Sequence, residues 1–168
     1  MHLRDARLLV VDDHQPMREI LKSLLFGLGA RQVEEARDAA QAIEALSFSA
    51  FDILLTDYDM PGETGVQLAG KLRRAERNQN RRIPIVMVTG RAEGPVILAA
   101  RDAGVDEYLI KPLTTVSLTQ KIEAALNRRR AFIETDGYIG PDRRRRALPF
   151  EGADRRDAAA AARTVRSA

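Results

Sequence analysis

The sequence contains no cysteine, which excludes disulfides, thiol catalysis and thiolate metal sites. No stretch approaches the ~18 consecutive apolar residues of a membrane span, and the N-terminus lacks the apolar run of a signal peptide. Histidine is scarce as well, with only His2 and His14. We therefore expect a cytoplasmic protein without membrane insertion, whose chemistry depends on carboxylates, hydroxyls and cations.

Lysine is missing from residues 128–168, which carry 11 arginines and 6 acidic residues, a net charge of +5. Residues 1–127 carry 16 basic and 18 acidic residues, a net charge of −2. A planar guanidinium suits bidentate and stacked contacts better than an ammonium group does. A chain of 168 residues is long enough for one ordinary domain and an appendage. The sequence predicts a domain at residues 1–131 and an Arg-rich ligand-binding tail at residues 132–168.

In the first 127 residues, short apolar runs alternate with amphipathic segments. This alternation predicts a parallel sheet covered by helices. The predicted strands are 8–11, 31–36, 53–56, 85–88 and 105–110, and the predicted helices are 15–28, 38–48, 64–76, 93–102 and 114–130. The segment 31–36 is the most polar of the strands, as is typical of the edge of a sheet.

Polar residues follow the predicted strands where the strands end: Asp12, Asp13, Asp57, Thr89 and Lys111. Parallel sheets place their sites beyond the carboxyl ends of their strands. Three carboxylates there favour a hard cation with oxygen ligands, and Mg²⁺ suits an incomplete carboxylate cage. Asp57 can attack phosphorus as a nucleophile, while Lys111 and Thr89 can stabilise phosphoryl oxygens.

These residues resemble the receiver domain of the bacterial response-regulator, CheY-like family. The matching motifs are Asp12-Asp13, Asp57 followed by Met60-Pro61-Gly62, Thr89-Gly90 and Lys111-Pro112. The resemblance covers residues 5–127 and implies an α/β, (βα)5 flavodoxin-like fold, a doubly wound parallel sheet of order 2-1-3-4-5.

The resemblance also implies functional roles. Asp57 would accept phosphate from a histidine kinase, a phosphotransferase or a small phosphodonor. Mg²⁺ would be bound by Asp13, Asp57 and the carbonyl of Asp59, with Asp12 assisting. Thr89 and Tyr108 match the switch pair of the family, which reshapes the face made by the fourth helix, fifth strand and fifth helix. No catalysis beyond this phosphoryl transfer is expected. We therefore predict that the protein is not an enzyme.

A short pattern occurs twice in the tail, because residues 138–144 and 150–156 both read aromatic-x-Gly-x-Asp-Arg-Arg. The two-pronged guanidinium of arginine pairs with O6 and N7 of guanine, and a carboxylate can accept hydrogen bonds from the N–H groups of guanine. Aromatic rings and guanidiniums stack on the faces of purines. Further arginines can form ion pairs with the phosphates of a nucleotide. Two copies favour cyclic di-GMP, which has two guanines and two phosphates. The candidate ligand residues are Tyr138, Asp142, Arg143, Arg144, Arg145, Arg146, Arg155, Arg156 and Asp157.

Residues 136–146, followed by Asp154-Arg155-Arg156-Asp157, also resemble the tail of the CheY-like cyclic di-GMP effectors, the Cle group. That resemblance implies a tail that wraps cyclic di-GMP, often as an intercalated ligand dimer, and a loaded protein that binds the flagellar motor switch. Apolar periodicity is lost after Phe132, so we expect the tail to be disordered without ligand.

Two alternatives remain open at this point. The protein could be an ordinary phosphorelay or chemotaxis-type receiver with an incidental tail. The tail could instead bind RNA, because arginine segments bind phosphate non-specifically, although its six acidic residues oppose a polyanion. The arginines at 128–130 are interpreted as complementing the dipole of the last helix.

Overall fold

The structure is a computed structural model that describes residues 1–144. Five strands alternate with five helices, and a hairpin follows them. The strands are β1 (Arg7–Val11), β2 (Gln32–Ala36), β3 (Ile53–Asp57), β4 (Ile85–Thr89) and β5 (Glu107–Ile110), and the hairpin strands are β6 (Phe132–Thr135) and β7 (Tyr138–Pro141). The helices are α1 (Gln15–Gly27), α2 (Ala39–Phe48), α3 (Gly65–Arg74), α4 (Gly94–Asp102) and α5 (Thr115–Asn127), with 3₁₀ turns at Leu3–Asp5 and Gln79–Arg82.

The first five strands form one parallel sheet of order β2-β1-β3-β4-β5, which confirms the predicted α/β flavodoxin-like fold. The central strands β3 and β4 are buried along their whole length. Each face of the sheet is covered by helices, which creates two hydrophobic layers. The register pairs Val11 with Thr56 and Asp57 with Val88. The carboxyl ends of β1, β3 and β4 therefore meet at one edge.

Local sequence sets the helix ends. Thr64 and Thr114 form capping boxes at the starts of α3 and α5, and the Asp38 side chain caps α2. Helix α5 ends at Asn127, three residues before the predicted end, because Arg128 leaves the helical conformation. No helix within residues 1–144 has the length and apolarity needed to cross a bilayer.

The structure corrects the interpretation of the arginines at 128–130. Arg129 donates to the carbonyl of Arg82. Arg130 donates to the carbonyls of Val105, Asp106 and Asp142. Both guanidiniums thus bind carbonyls of other elements rather than those at the end of α5, so they attach the chain after α5 to the α/β domain.

The hairpin is a second correction, because residues 132–157 were expected to be disordered without a ligand. Strands β6 and β7 pair antiparallel, with Ile133 opposite Gly140 and Thr135 opposite Tyr138. Two four-residue strands would be marginal alone, and here they pack on the α/β domain near its α3 helix. The expected disorder therefore does not hold for residues 132–144, and the rest of the predicted tail lies outside the described residues.

The hairpin lies at the amino ends of β4 and β5, opposite the edge that carries the acidic residues. Arg81 donates to Glu134 at 2.6 Å, and the Arg73 guanidinium lies 5.5 Å from the Phe132 ring centroid. A Cβ at Gly140 would lie 2.7 Å from the Gly104 Cα, so glycine permits the close approach of β7 to the turn before β5. The hairpin is thus packed as part of the folded α/β domain.

Candidate functional site

The acidic residues predicted from the sequence meet at the carboxyl edge of the sheet. Asp12 follows β1 and is fully buried, and Asp57 ends the neighbouring strand β3 and is 7% exposed. Lys111 follows β5 and reaches across the edge. Its Nζ donates to Asp12 Oδ2 at 3.2 Å and to Asp57 Oδ1 at 3.0 Å. The structure therefore brings two carboxylates and one ammonium group into direct contact.

Burial and charge shift the pKa values in this pocket. Burial raises the pKa of the Asp57 carboxyl, Lys111 lowers it, and the nearby Asp12 carboxylate raises it again, with a net rise. Burial opposes the charge of Lys111, but the Asp57 carboxylate raises the pKa of Lys111 above its ordinary value. The ammonium group is thus held charged against the two carboxylates.

Asp13 and His14 lie beside this pair. Ligand atoms of Asp12, Asp13 and His14 lie within 4.8 Å of one another, and His14 Nδ1 lies 3.1 Å from Asp13 Oδ1. The carboxylate oxygens of Asp12, Asp13 and Asp57 are the hard donors that Mg²⁺ prefers. The donor set therefore fits the cation that the sequence predicts.

The loop after β3 is shaped by a close backbone contact. A Cβ at Gly65 would lie 2.0 Å from the Asp57 carbonyl oxygen, so only glycine fits at the start of α3. The Asp59 carboxylate, exposed in this loop, accepts a 2.7 Å hydrogen bond from Arg91 Nε. The side chain of Asp59 thereby ties the loop after β3 to the loop after β4.

Thr89 and Tyr108, the predicted switch pair, are linked through Arg91. The Thr89 hydroxyl accepts from the Arg91 backbone N–H at 3.1 Å, and the Tyr108 hydroxyl donates to the Arg91 carbonyl. Sequence reasoning missed Arg91, which bridges the loops after β3 and β4. An exposed arginine in a loop carries no local pattern that could have identified it.

The described part of the predicted ligand tail lies at the opposite end of the sheet. Arg143 lies 4.0 Å from the Tyr138 ring centroid, and the Tyr138 hydroxyl donates to the Pro141 carbonyl at 2.6 Å. The Asp142 carboxylate accepts from the backbone and side chain of Arg144. Arg145, Arg146, Arg155, Arg156 and Asp157 lie outside the described residues.

A five-stranded parallel sheet of this order, with an acidic pair, a buried aspartate and a lysine at its carboxyl edge, defines a receiver domain. The protein family described as the response regulator receiver domain matches residues 8–123. The chain belongs to this family, as the residues around Asp57 predict.

Similar proteins agree with this assignment. The chain is 41% identical over 122 residues to the chemotaxis protein CheY of Pseudomonas aeruginosa, which covers 73% of the chain and 97% of that protein. It is 35% identical over 125 residues to the chemotaxis protein CheY-3 of Vibrio cholerae, covering 74% of the chain and 95% of that protein. These matches span about three quarters of the chain.

Solved structures resemble the same region. The chemotaxis protein CheY4 of Vibrio cholerae has a TM-score of 0.67 and 26% identity, covering 72% of this chain and 98% of its own. The receiver domain of a sensor histidine kinase from Pseudomonas aeruginosa has a TM-score of 0.65 and 26% identity, and the match covers 72% of this chain and 97% of that chain. That structure carries a magnesium ion in its active-site cleft.

Proposed function

We propose that this protein is a response regulator that accepts a phosphoryl group on Asp57 and binds cyclic di-GMP through its Arg-rich tail. Binding of the dinucleotide controls docking on a partner protein. The observation that carries the first half is the contact of Lys111 with both Asp57 and Asp12 at 3.0 and 3.2 Å. The observation that carries the second half is the repeated Asp-Arg-Arg pattern, whose first copy begins beside the ordered hairpin.

In the proposed phosphoryl transfer, an Asp57 carboxylate oxygen attacks the phosphorus of a phosphohistidine or small phosphodonor. A new P–O bond forms, the bond from phosphorus to the donor breaks, and the donor leaves with its electron pair. Lys111 then pairs with a phosphoryl oxygen, and the Thr89 hydroxyl donates to another. Asp12, Asp13, Asp57 and the Asp59 carbonyl would hold Mg²⁺, which neutralises negative charge on the phosphoryl group.

The tail supplies groups that suit a guanine dinucleotide. Arg143 stacks on Tyr138, and the Tyr138 hydroxyl is already bonded within the hairpin. In this first copy of the pattern, Tyr138 and Gly140 therefore position the arginines. The ring of Tyr138 supports the guanidinium of Arg143 by stacking against it. The carboxylate of Asp142, which accepts from Arg144 in the structure, and the guanidiniums of the arginine run would exchange their present contacts for guanine edges and phosphates. The ligand is bound as one dinucleotide or as an intercalated dimer.

The proposed output is docking rather than catalysis. Ile110 at the end of β5 and Val116 on α5 are apolar side chains that remain 44% and 67% exposed. The relatives named above are chemotaxis proteins, and the tail resembles that of cyclic di-GMP effectors that bind the flagellar motor. We therefore infer a histidine kinase or phosphotransferase as phosphodonor and the flagellar motor switch as the docking partner.

Beryllofluoride, which mimics an aspartyl phosphate, tests the first half. With Mg²⁺ present, it is expected to shift the amide NMR signals of Thr89, Tyr108 and Lys111 in the wild type. Asp57→Asn removes the attacking carboxylate and should abolish these shifts. Equal responses of the two proteins, or none in either, would contradict phosphorylation at this residue.

Titration calorimetry tests the second half with three ligands: cyclic di-GMP, GTP and a short RNA. The full chain is expected to bind only the first tightly, and Asp57→Asn should leave that affinity unchanged. The double variant Arg145→Ala/Arg146→Ala should lose most of it. Binding of RNA with a steep loss of affinity in salt would favour the RNA-binding alternative. Binding of none of the three would leave a chemotaxis-type receiver with an incidental tail.

A further inference from the structure

A groove of about 250 Å³ runs between α4 and β5 on the surface of the receiver. Its lining includes Ile97, Leu98 and Val105 as apolar residues and Arg101, Arg130 and Arg143 as basic residues. Leu98 is 50% exposed and Ile97 is 39% exposed, so their apolar surface is available to a ligand. The groove therefore combines an apolar wall with a guanidinium rim.

The rim carries more positive than negative charge. Arg101 and Arg143 share the single carboxylate of Asp102, at 3.1 and 3.5 Å. The Arg130 guanidinium donates to backbone carbonyls rather than to a carboxylate. The two carboxylates that line the groove are each paired with a cation outside its lining, Asp106 with Arg73 at 2.9 Å and Glu107 with Lys121 at 2.8 Å. This charge balance favours an anionic occupant.

The position of Arg143 links the groove to the tail. Arg143 is the first residue of the run Arg143–Arg146, and it is held at the groove by its contacts with Asp102 and Tyr138. A ligand in the groove therefore lies beside the start of the arginine run. The hairpin fixes this geometry, because Arg130 bonds both to the Asp142 carbonyl and to the Asp106 carbonyl at 2.7 Å.

From these observations we infer that the α4–β5 groove of the receiver is part of the nucleotide site and holds one guanine base and an adjacent phosphate of cyclic di-GMP. This inference rests on the proposed binding of that ligand by the tail. The flat apolar faces of guanine can lie on Ile97 and Leu98. The O6/N7 edge of the base and the adjacent phosphate of the nucleotide are both good hydrogen-bond partners for guanidiniums. The groove is smaller than the ~300–1,000 Å³ of sites that enclose a whole drug-sized ligand. The groove therefore holds one base of the dinucleotide rather than the whole ligand.

A matched pair of variants in the full chain tests the inference. Leu98→Asp places a carboxylate on the apolar wall, while Ile20→Asp makes the same change on α1, where Ile20 is also 50% exposed. Both variants change the net charge equally, so general electrostatic attraction to the dinucleotide is the same in each. Calorimetry with cyclic di-GMP should show an affinity at least about tenfold weaker for Leu98→Asp and unchanged for Ile20→Asp.

Methyl NMR of the wild-type protein gives a second readout that does not depend on the folding of a variant. Saturating cyclic di-GMP should shift the methyl signals of Ile97 and Leu98 through the ring current of the base and leave those of Ile20 unchanged. Wild-type affinity in Leu98→Asp, together with unmoved Ile97 and Leu98 methyl signals, would overturn the inference while leaving tail binding intact. Absence of any binding to the wild type would instead overturn the proposed function itself.

Discussion

Arg73 lies on α3 with only 1% of its surface exposed, although it carries a charge. Its guanidinium donates to Asp106 Oδ2 at 2.9 Å and to the carbonyls of Gly104, Arg81 and Ile83 at 2.7–3.0 Å. Burial lowers the pKa of Arg73 to about 10, opposed by the Asp106 carboxylate. This one side chain therefore connects α3, the 3₁₀ turn before β4 and the turn before β5.

Substitution of Arg73 tests how much this network stabilises the fold. Arg73→Met should lower the free energy of unfolding by about 3–5 kcal/mol, because it leaves the buried Asp106 carboxylate without its cation. The neighbouring Arg74→Met, at an exposed position of the same helix, should change it by less than about 0.5 kcal/mol. Urea unfolding of both variants measures the difference, and equal stabilities would contradict a structural role for the Arg73–Asp106 pair.

For single residues, the sequence predicts the contacts of some side chains well and those of others not at all. Asp12, Asp57, Thr89 and Lys111 follow apolar strands, so their meeting at one edge follows from the topology of a parallel sheet. The Arg73–Asp106 pair joins residues 33 positions apart. Nothing in the local pattern around either residue distinguishes it from a solvated charge.

At the scale of elements, the hairpin β6–β7 is the main addition to the predicted architecture. Its strands have four residues each and contain glycine and proline, so they lack the alternating apolar pattern that marks the receiver strands. Its partners Arg73, Arg81 and Gly104 lie 28 or more positions earlier in the chain. The element therefore could not be predicted from local sequence, whereas the five buried strands could.

Two glycines of the hairpin allow a direct test of its packing. Gly140→Ala should detach the hairpin from the receiver, because its Cβ would lie 2.7 Å from both the Gly104 Cα and the Tyr138 hydroxyl. Gly137→Ala, at the hairpin turn, has no atom within 4 Å of the added Cβ and should leave the packing unchanged. Amide hydrogen exchange of residues 132–141 measures the outcome. Equal protection in the two variants would contradict this account.

The ion pair between Arg81 and Glu134 gives the hairpin a dependence on pH. The hydrogen bond from Arg81 lowers the pKa of the Glu134 carboxyl below its ordinary value of 4.5. Its stabilising contribution is therefore complete above that value and is lost as the pH falls through the lowered pKa. Urea unfolding should show the wild type more stable than Glu134→Gln near neutral pH, with a difference that shrinks in acid. A difference independent of pH would contradict the assigned ion pair.

At the scale of the whole molecule, the two proposed sites lie at different places on one body. The phosphorylation pocket occupies the carboxyl edge of the sheet, whereas the hairpin holds Arg143 near the amino end of β5. Tyr108 lines the α4–β5 groove and also bonds the Arg91 carbonyl beside the pocket. Under the proposed function, phosphorylation and nucleotide binding are coupled only if the phosphorylated and unphosphorylated receiver differ in their affinity for the nucleotide.

The most direct test of the central claim is the amide NMR spectrum of the full chain with and without cyclic di-GMP. We predict that amides of residues 142–157 shift and become protected from hydrogen exchange when the dinucleotide is added, in Asp57→Asn as in the wild type. If these amides neither shift nor gain protection at a large excess of ligand, the tail does not bind cyclic di-GMP and the proposed output is wrong.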